Sequence, residues 1–255
     1  MRTHLAFAMF LTSSLFAQSR FDGTWEMKMD TLQFSGPPED YLFDKGRYHC
    51  DSCVPKVDVE TDGTDRKVTG HPYDTLAVRI LDARSIKFTM KKDGKTTFEC
   101  VETVSQDDRT MTEEFTNTME AETVTGKAGF TRVGKGPPGL HVLSGKWNML
   151  TVNNSTPAGT LTTYQSTAGG LRVFDGSESF EAKLDGRDHR MNGDAHSTVS
   201  LNLIDEYTLE ETDKHDGKIT TVSRKTISKD GRSMRVEVID RQRGGTMTYT
   251  AQKLP

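Results

Sequence analysis

Apolar and polar residues alternate with a period of two along most of the chain. Leu76, Val78 and Ile80 share one face of a short run, with Ala77 and Arg79 on the other. Ile86, Phe88 and Met90 alternate with Lys87 and Thr89, and Val199, Leu201 and Leu203 with Ser200 and Asn202. Met234, Val236 and Val238 alternate with Arg235 and Glu237. Successive side chains of an extended chain point to opposite faces, so this period predicts strands with one buried face. No window carries a convincing helical period. Asp93-Gly94, Asp216-Gly217 and Asp230-Gly231 separate the runs, as do Asp62-Gly63 and Asp185-Gly186. Such pairs suit tight hairpins because glycine tolerates positive φ. In the first half the pattern predicts about eight strands, near 23–30, 41–49, 56–61, 74–81, 85–92, 95–105, 109–117 and 122–133. A meander of that size closes into a barrel, which removes its exposed edges.

The pattern is written twice. "DGTDRKVTG" at 62–70 returns as "DGRDHRMNG" at 185–193, and the match continues ungapped at a constant spacing of 123 residues. Asp65/Asp188, Asp82/Asp205, Lys91/Lys214, Asp93/Asp216, Thr103/Thr226, Asp107/Asp230 and Met111/Met234 are among the identical pairs. The starts match as well, "FDGTW" at 21–25 with "LSGKW" at 143–147. A period this long is a duplicated domain rather than a solenoid. Gly134, Gly136, Pro137, Pro138 and Gly139 punctuate the chain between the copies. The expected organisation is an all-β chain of two tandem antiparallel up-and-down barrels, the first over 18–133 and the second over 143–255, joined by a Gly/Pro linker at 134–142.

Composition narrows the class. Hydrophobic residues make up 33% of the 255 residues and charged residues 27%, as expected of sheets with one wet face. Both signs of charge are interleaved and the net is only -4, so the footprint of a nucleic-acid-binding protein is missing. The opening "MRTHLAFAMFLTSSLFAQ" has a basic start and two short apolar clusters ending at Ala17. It reads as a secretory signal peptide over 1–17, which implies an exported, periplasmic or extracellular protein with no integral membrane segment after cleavage.

Gly23-Thr24-Trp25 and Gly145-Lys146-Trp147 each open a predicted meander. In this the chain resembles the lipocalin and fatty-acid-binding (calycin) group. The repeated Asp-Gly-x-Asp and Lys-x-Asp-Gly-Lys phrases also look like those of secreted bacterial proteins described only as lipocalin-like. The resemblance implies that Trp25 and Trp147 plug one end of each barrel under a basic residue of the last strand. Arg132 would fill that role in the first copy and Lys253 in the second. The group's Thr-Asp-Tyr motif and helical lid are missing, which leaves the ligand class open.

Two segments carry candidate chemistry. "HCDSCVP" at 49–55 holds Cys50 and Cys53. In an exported chain these pair with each other or with Cys100. A redox pair, or a zinc site helped by His49 and His71, are the alternatives. "TGHPYD" at 69–74 groups His71, Tyr73 and Asp74 in a loop at an expected barrel rim, and the second copy keeps His196 one step out of register. These four are the candidate ligand-binding residues. The many carboxylates read as turn and surface residues. No nucleophile elbow, phosphate loop or His-x-x-x-His pair is present, so no catalytic residue, metal or cofactor is assigned. The first copy carries Phe88, Phe98 and Phe115 where the second has Leu209, Val222 and Val238 nearby, which predicts a roomier second barrel. The expected function is non-enzymatic binding of a small, partly apolar molecule. A structural or interaction protein with filled barrels is the alternative, and a thiol-redox or metal-binding protein using Cys50 and Cys53 a further one.

Overall fold

The computed structural model describes residues 19–118, 122–154, 156–175, 179–191 and 196–255; the predicted signal peptide lies outside them. The first ten strands are β1 (Gly23–Ser35), β2 (Glu39–Asp44), β3 (Arg47–Cys50), β4 (Val57–Glu60), β5 (Arg66–Lys67), β6 (Thr75–Ile80), β7 (Ser85–Lys92), β8 (Lys95–Val104), β9 (Thr110–Asn117) and β10 (Val124–Lys135). The second ten are β11 (Gly145–Asn154), β12 (Leu161–Thr167), β13 (Gly170–Phe174), β14 (Ser179–Lys183), β15 (His189–Arg190), β16 (Ser197–Asp205), β17 (Thr208–His215), β18 (Lys218–Ile227), β19 (Ser233–Asp240) and β20 (Thr246–Lys253). A 3-10 turn (Pro157–Thr160) precedes β12.

The strands form two antiparallel sheets of ten, each nearly closed into a barrel. Ten replaces the expected eight for two reasons. The run predicted at 41–49 folds back on itself at Lys45 and Gly46, both at positive φ, and becomes β2 and β3. The two-residue strands β5 and β15 are too short to show a period.

The repeated Asp-Gly-x-Asp phrase sits at the barrel seam. The chain leaves β4 at one sheet edge and enters β5 at the other, so residues 61–65 span the gap. Gly63 lies at φ +82° and its N–H donates to the Val78 carbonyl at 2.9 Å. Gly186 repeats this with Leu201 at 2.9 Å. Asp65 pairs with Lys91 at 2.7 Å, and Asp188 with Lys214 at 2.8 Å. The identities shared by the copies therefore mark where each barrel closes.

The barrels exchange strands relative to the repeat. Barrel 1 runs in the order β4-β3-β2-β11-β10-β9-β8-β7-β6-β5, and barrel 2 in the order β14-β13-β12-β1-β20-β19-β18-β17-β16-β15. The first strand of the first copy thus stands in barrel 2, and the first strand of the second copy in barrel 1. Barrel 1 is the continuous segment 39–154, while barrel 2 joins 161–253 to the distant β1. The chain passes between barrels at 36–38 and again between β11 and β12, not at the Gly/Pro segment 134–142. At the first crossing a Cβ on Gly36 would come within 2.7 Å of the Gly245 Cα, so only glycine lets the two backbones pass.

Each barrel has its own core. Leu76, Val78, Ile86, Met111 and Trp147 are buried in barrel 1, and Trp25, Leu171, Val199, Leu201 and Val236 in barrel 2. The alternation predicts these faces, but it ends early: Ile80 and Leu203, each last on its predicted face, are exposed where their strands leave the barrel.

Candidate functional site

One end of each barrel is plugged by a tryptophan. Trp147 is fully buried and its indole N–H donates to the Leu143 carbonyl at 2.9 Å. Trp25 does the same with Phe21 at 2.8 Å. Arg132 lies over the Trp147 ring at 3.9 Å and Lys253 over Trp25 at 5.4 Å. Each base therefore covers the tryptophan of the other copy, the reverse of the pairing the resemblance implied, because the strands are exchanged. Arg132 also donates to the carbonyls of Asp108, Val142 and Ser144, which fixes its plane. Glycine two residues before each tryptophan makes room: Gly23 and Gly145 sit at φ +117° and +131°, and a Cβ would strike Lys253 or Arg132.

Cys50 and Cys53 form a disulfide, and Cys100 is a free, buried thiol. The disulfide loop meets the His71 loop at the rim of barrel 1, where Gly70 faces Pro55. His71 stacks on Tyr73 with ring centroids 5.0 Å apart, and Cys53 and Tyr73 pack on the barrel core. Burial lowers the His71 imidazole and raises the Tyr73 phenol. Asp74 points away, accepting from the Asp93 N–H at 2.7 Å and the Lys92 ammonium at 2.9 Å, which hold its carboxyl low. His196 stands at the rim of barrel 2, paired with Asp216 at 2.7 Å. The structure thus brings His71 and Tyr73 together, leaves Asp74 in an ion pair with Lys92, and leaves His196 hydrogen-bonded to Asp216 on the other barrel.

Both interiors hold charge. In barrel 1, Glu102 and Glu113 face each other across β8 and β9, with Cys100 one interior step away. Glu102 is 3% exposed. Burial, then Glu113 and Glu39, push its carboxyl well up, while a hydrogen bond from Tyr41 opposes them. Burial also raises Glu113 and the Cys100 thiol. In barrel 2, Lys225 pairs with Glu211 at 2.7 Å, both buried, beneath the Tyr164 ring. Burial alone would lower the Lys225 ammonium, but Glu211, Tyr164 and Tyr249 together outweigh it and hold it up. Asp213 is pushed up to about 6 by burial and by Glu211.

A roomy space lies between the barrels. It is an open cleft of ≈ 540 Å³. Phe34, Trp147 and Met149 on β1 and β11, and Val238 and Met247 on β19 and β20, line it. At its polar end Arg243 of barrel 2 reaches Glu39 of barrel 1 at 2.7 Å, and Ser52 of the disulfide loop donates to the same carboxylate at 3.2 Å. None of His71, Tyr73, Asp74 or His196 lines it.

No family model matches the chain, and none of the curated proteins does. Among solved structures, the vaccine antigen transferrin binding protein B of Haemophilus parasuis Hp5, crystallised as a double mutant, is similar at 11% identity with a TM-score of 0.24. The alignment covers 88% of this chain and 45% of that one, so this chain spans less than half of that protein's length. At that score the likeness carries no argument about ligand or partner. No helix among the described residues is long and apolar enough to cross a membrane.

Sequence reasoning passed over Glu102, Glu113, Glu211 and Lys225 as surface charges. A signal was there. Phe98, Cys100, Glu102 and Val104 share one parity of β8, so the alternation already set Glu102 on the buried face. Arg243 and Glu39 left no such mark, because they meet only through the fold.

Proposed function

We propose that the chain is an exported, non-enzymatic binding protein that holds a small, partly apolar molecule in the cleft between its barrels. The cleft carries this reading. Its ≈ 540 Å³ fall in the range of about 300–1,000 Å³ common to small-molecule sites, and its walls mix apolar side chains such as Phe34, Met149 and Met247 with polar ones such as Asn148, Asp240 and Arg243. Both barrels supply walls, so ligand and barrel contact support one another. The barrel interiors are occupied by their own side chains, which favours the cleft over the expected second-barrel cavity. The Cys50–Cys53 bond fits an oxidising compartment.

An environment-sensitive apolar dye tests the reading. Saturable binding is expected, at least tenfold weaker in Leu150→Trp, which fills the cleft from an exposed position. Ile219→Trp, also exposed but not among the cleft's lining residues, should leave binding unchanged. Dye binding indifferent to Leu150→Trp would remove the proposal. The interaction-protein reading would then gain, on one observation: both copies expose an apolar pair at matching positions, Ile80-Leu81 and Leu203-Ile204.

A further inference from the structure

We infer that Cys100, Glu102 and Glu113 form an internal binding site in barrel 1 for one divalent transition-metal cation, with Zn²⁺ the best fit. The inference does not depend on the cleft.

Three observations converge. One donor atom from each of the three residues lies within 4.8 Å of the other two. The Glu102 Oε2 is buried and has no hydrogen-bond partner. If Glu102 and Glu113 relieved each other through that oxygen by sharing a proton, it would have one. The charged groups acting on Glu102 are the carboxylates of Glu113 and Glu39. Ionised together, these facing carboxylates would repel, and burial would strengthen the repulsion, so the fold favours a protonated Glu102 unless a cation stands in for the proton. A divalent ion between them removes that cost.

The donor set chooses the ion. One sulfur and two carboxylate oxygens suit a borderline-soft cation in tetrahedral geometry, with water as the fourth ligand. Ca²⁺ and Mg²⁺ ask for about six oxygens and reject sulfur. Cys100 would bind as thiolate, its proton passing to solvent. Tyr41 already donates to Glu102 and so holds its carboxylate. Barrel 2 supplies the contrast. At the matching positions it carries Ser223, Lys225 and Val236, and an ammonium supplies the positive charge.

Metal-stripped, disulfide-intact chain should be titrated with Co²⁺ and then Zn²⁺. One Co²⁺ per chain is expected, with tetrahedral visible bands and a sulfur-to-cobalt charge-transfer band, displaced by Zn²⁺. Cys50 and Cys53 are bonded to each other, so that band can come only from Cys100. Cys100→Ser should abolish it, Glu113→Gln should weaken binding by at least about 100-fold, and Tyr41→Phe by about 10–100-fold. Serine occupies the matching place in barrel 2, and an unchanged unfolding profile would verify the Cys100→Ser fold. Wild-type protein without the charge-transfer band overturns the inference. So does Zn²⁺ affinity unchanged in Cys100→Ser and Glu113→Gln, which would put the ion on surface histidines.

Discussion

Tyr41 in barrel 1 and Tyr164 in barrel 2 hold the same place in the repeat, the first half-buried and the second buried, and both lie beside charge. The charge they meet differs. Barrel 2 has Lys225 where barrel 1 has Glu102, and Glu211 where barrel 1 has Phe88. Barrel 2 therefore contains its own ion pair, at 2.7 Å. Barrel 1 contains two acids on facing positions of β8 and β9. One fold has met the cost of buried charge in two ways. Barrel 2 answers its buried acid with a lysine, whereas barrel 1 sets the buried Glu102 against a second, half-buried acid, Glu113. Polar burial is informative in proportion to how poorly the chain satisfies it.

The largest expected effect tests the strand exchange on which this comparison rests. Deleting residues 1–35 removes β1, which stands between β12 and β20. Barrel 2 should lose cooperative folding while barrel 1, continuous over 39–154, keeps it. Trp147, the remaining tryptophan, should stay buried under Arg132, and limited proteolysis should digest 161–255 first. Without the exchange, barrel 1 would be the one to fail.

Lys225→Met leaves Glu211 buried without its partner and should cost about 3–5 kcal/mol in urea denaturation. Glu102→Gln at the matching place, in metal-stripped protein, should cost nothing or stabilise, because it removes a buried repulsion. Opposite signs at equivalent positions would sharpen the contrast, and equal losses would break it.

Asp213 gives a third test, through pH. Its carboxyl sits at about 6 in the fold, against 3.8 for an ordinary aspartate. Between those values the folded state holds more protons than the unfolded one. Its contribution to stability is therefore lost as pH rises from about 4 to about 6, and is flat above. Asp213→Asn should abolish that slope and gain about 3 kcal/mol at pH 7. Barrel 1 has Met90 there and nothing to titrate.

Much of this fold was legible from local chemistry. Period two marked the strands, Asp-Gly pairs marked the turns, and glycine two residues before tryptophan marked the plugged ends. The exchange was not legible, because β1 and β11 begin with equivalent residues and either strand satisfies either barrel. The Lys45-Gly46 hairpin was readable, because the polar stretch Asp44-Lys45-Gly46-Arg47 interrupts the run taken as one strand. Among site residues, the disulfide was among the readings the Cys50/Cys53 spacing left open, and Glu102 was readable from strand parity. The cleft was beyond reach, because its walls come from β1, β11, β19 and β20, brought together by the exchange.

The smallest expected effect concerns the rim, where the barrels also differ. Barrel 1 carries the Cys50–Cys53 disulfide, while Val173 stands buried at the place of Cys50 in barrel 2. The bond closes a loop of only four residues, so it removes little freedom from the unfolded chain, about 2 kcal/mol in the chain-entropy account. Cys50 is itself buried in the core and packs as a small apolar residue, which valine can replace. A Cys50→Val/Cys53→Ser double variant should therefore lose about 2 kcal/mol by urea denaturation, confined to barrel 1, and keep its core. Barrel 2 is the internal control, since reductant should leave it unmoved. The loop also carries Ser52, whose hydroxyl donates to Glu39 at the polar end of the cleft. Freeing the loop should loosen that hydrogen bond and weaken dye binding by about two- to threefold, in line with one modest hydrogen bond. A change in stability with dye affinity untouched would separate rim from cleft, and make the disulfide a device of barrel 1 alone.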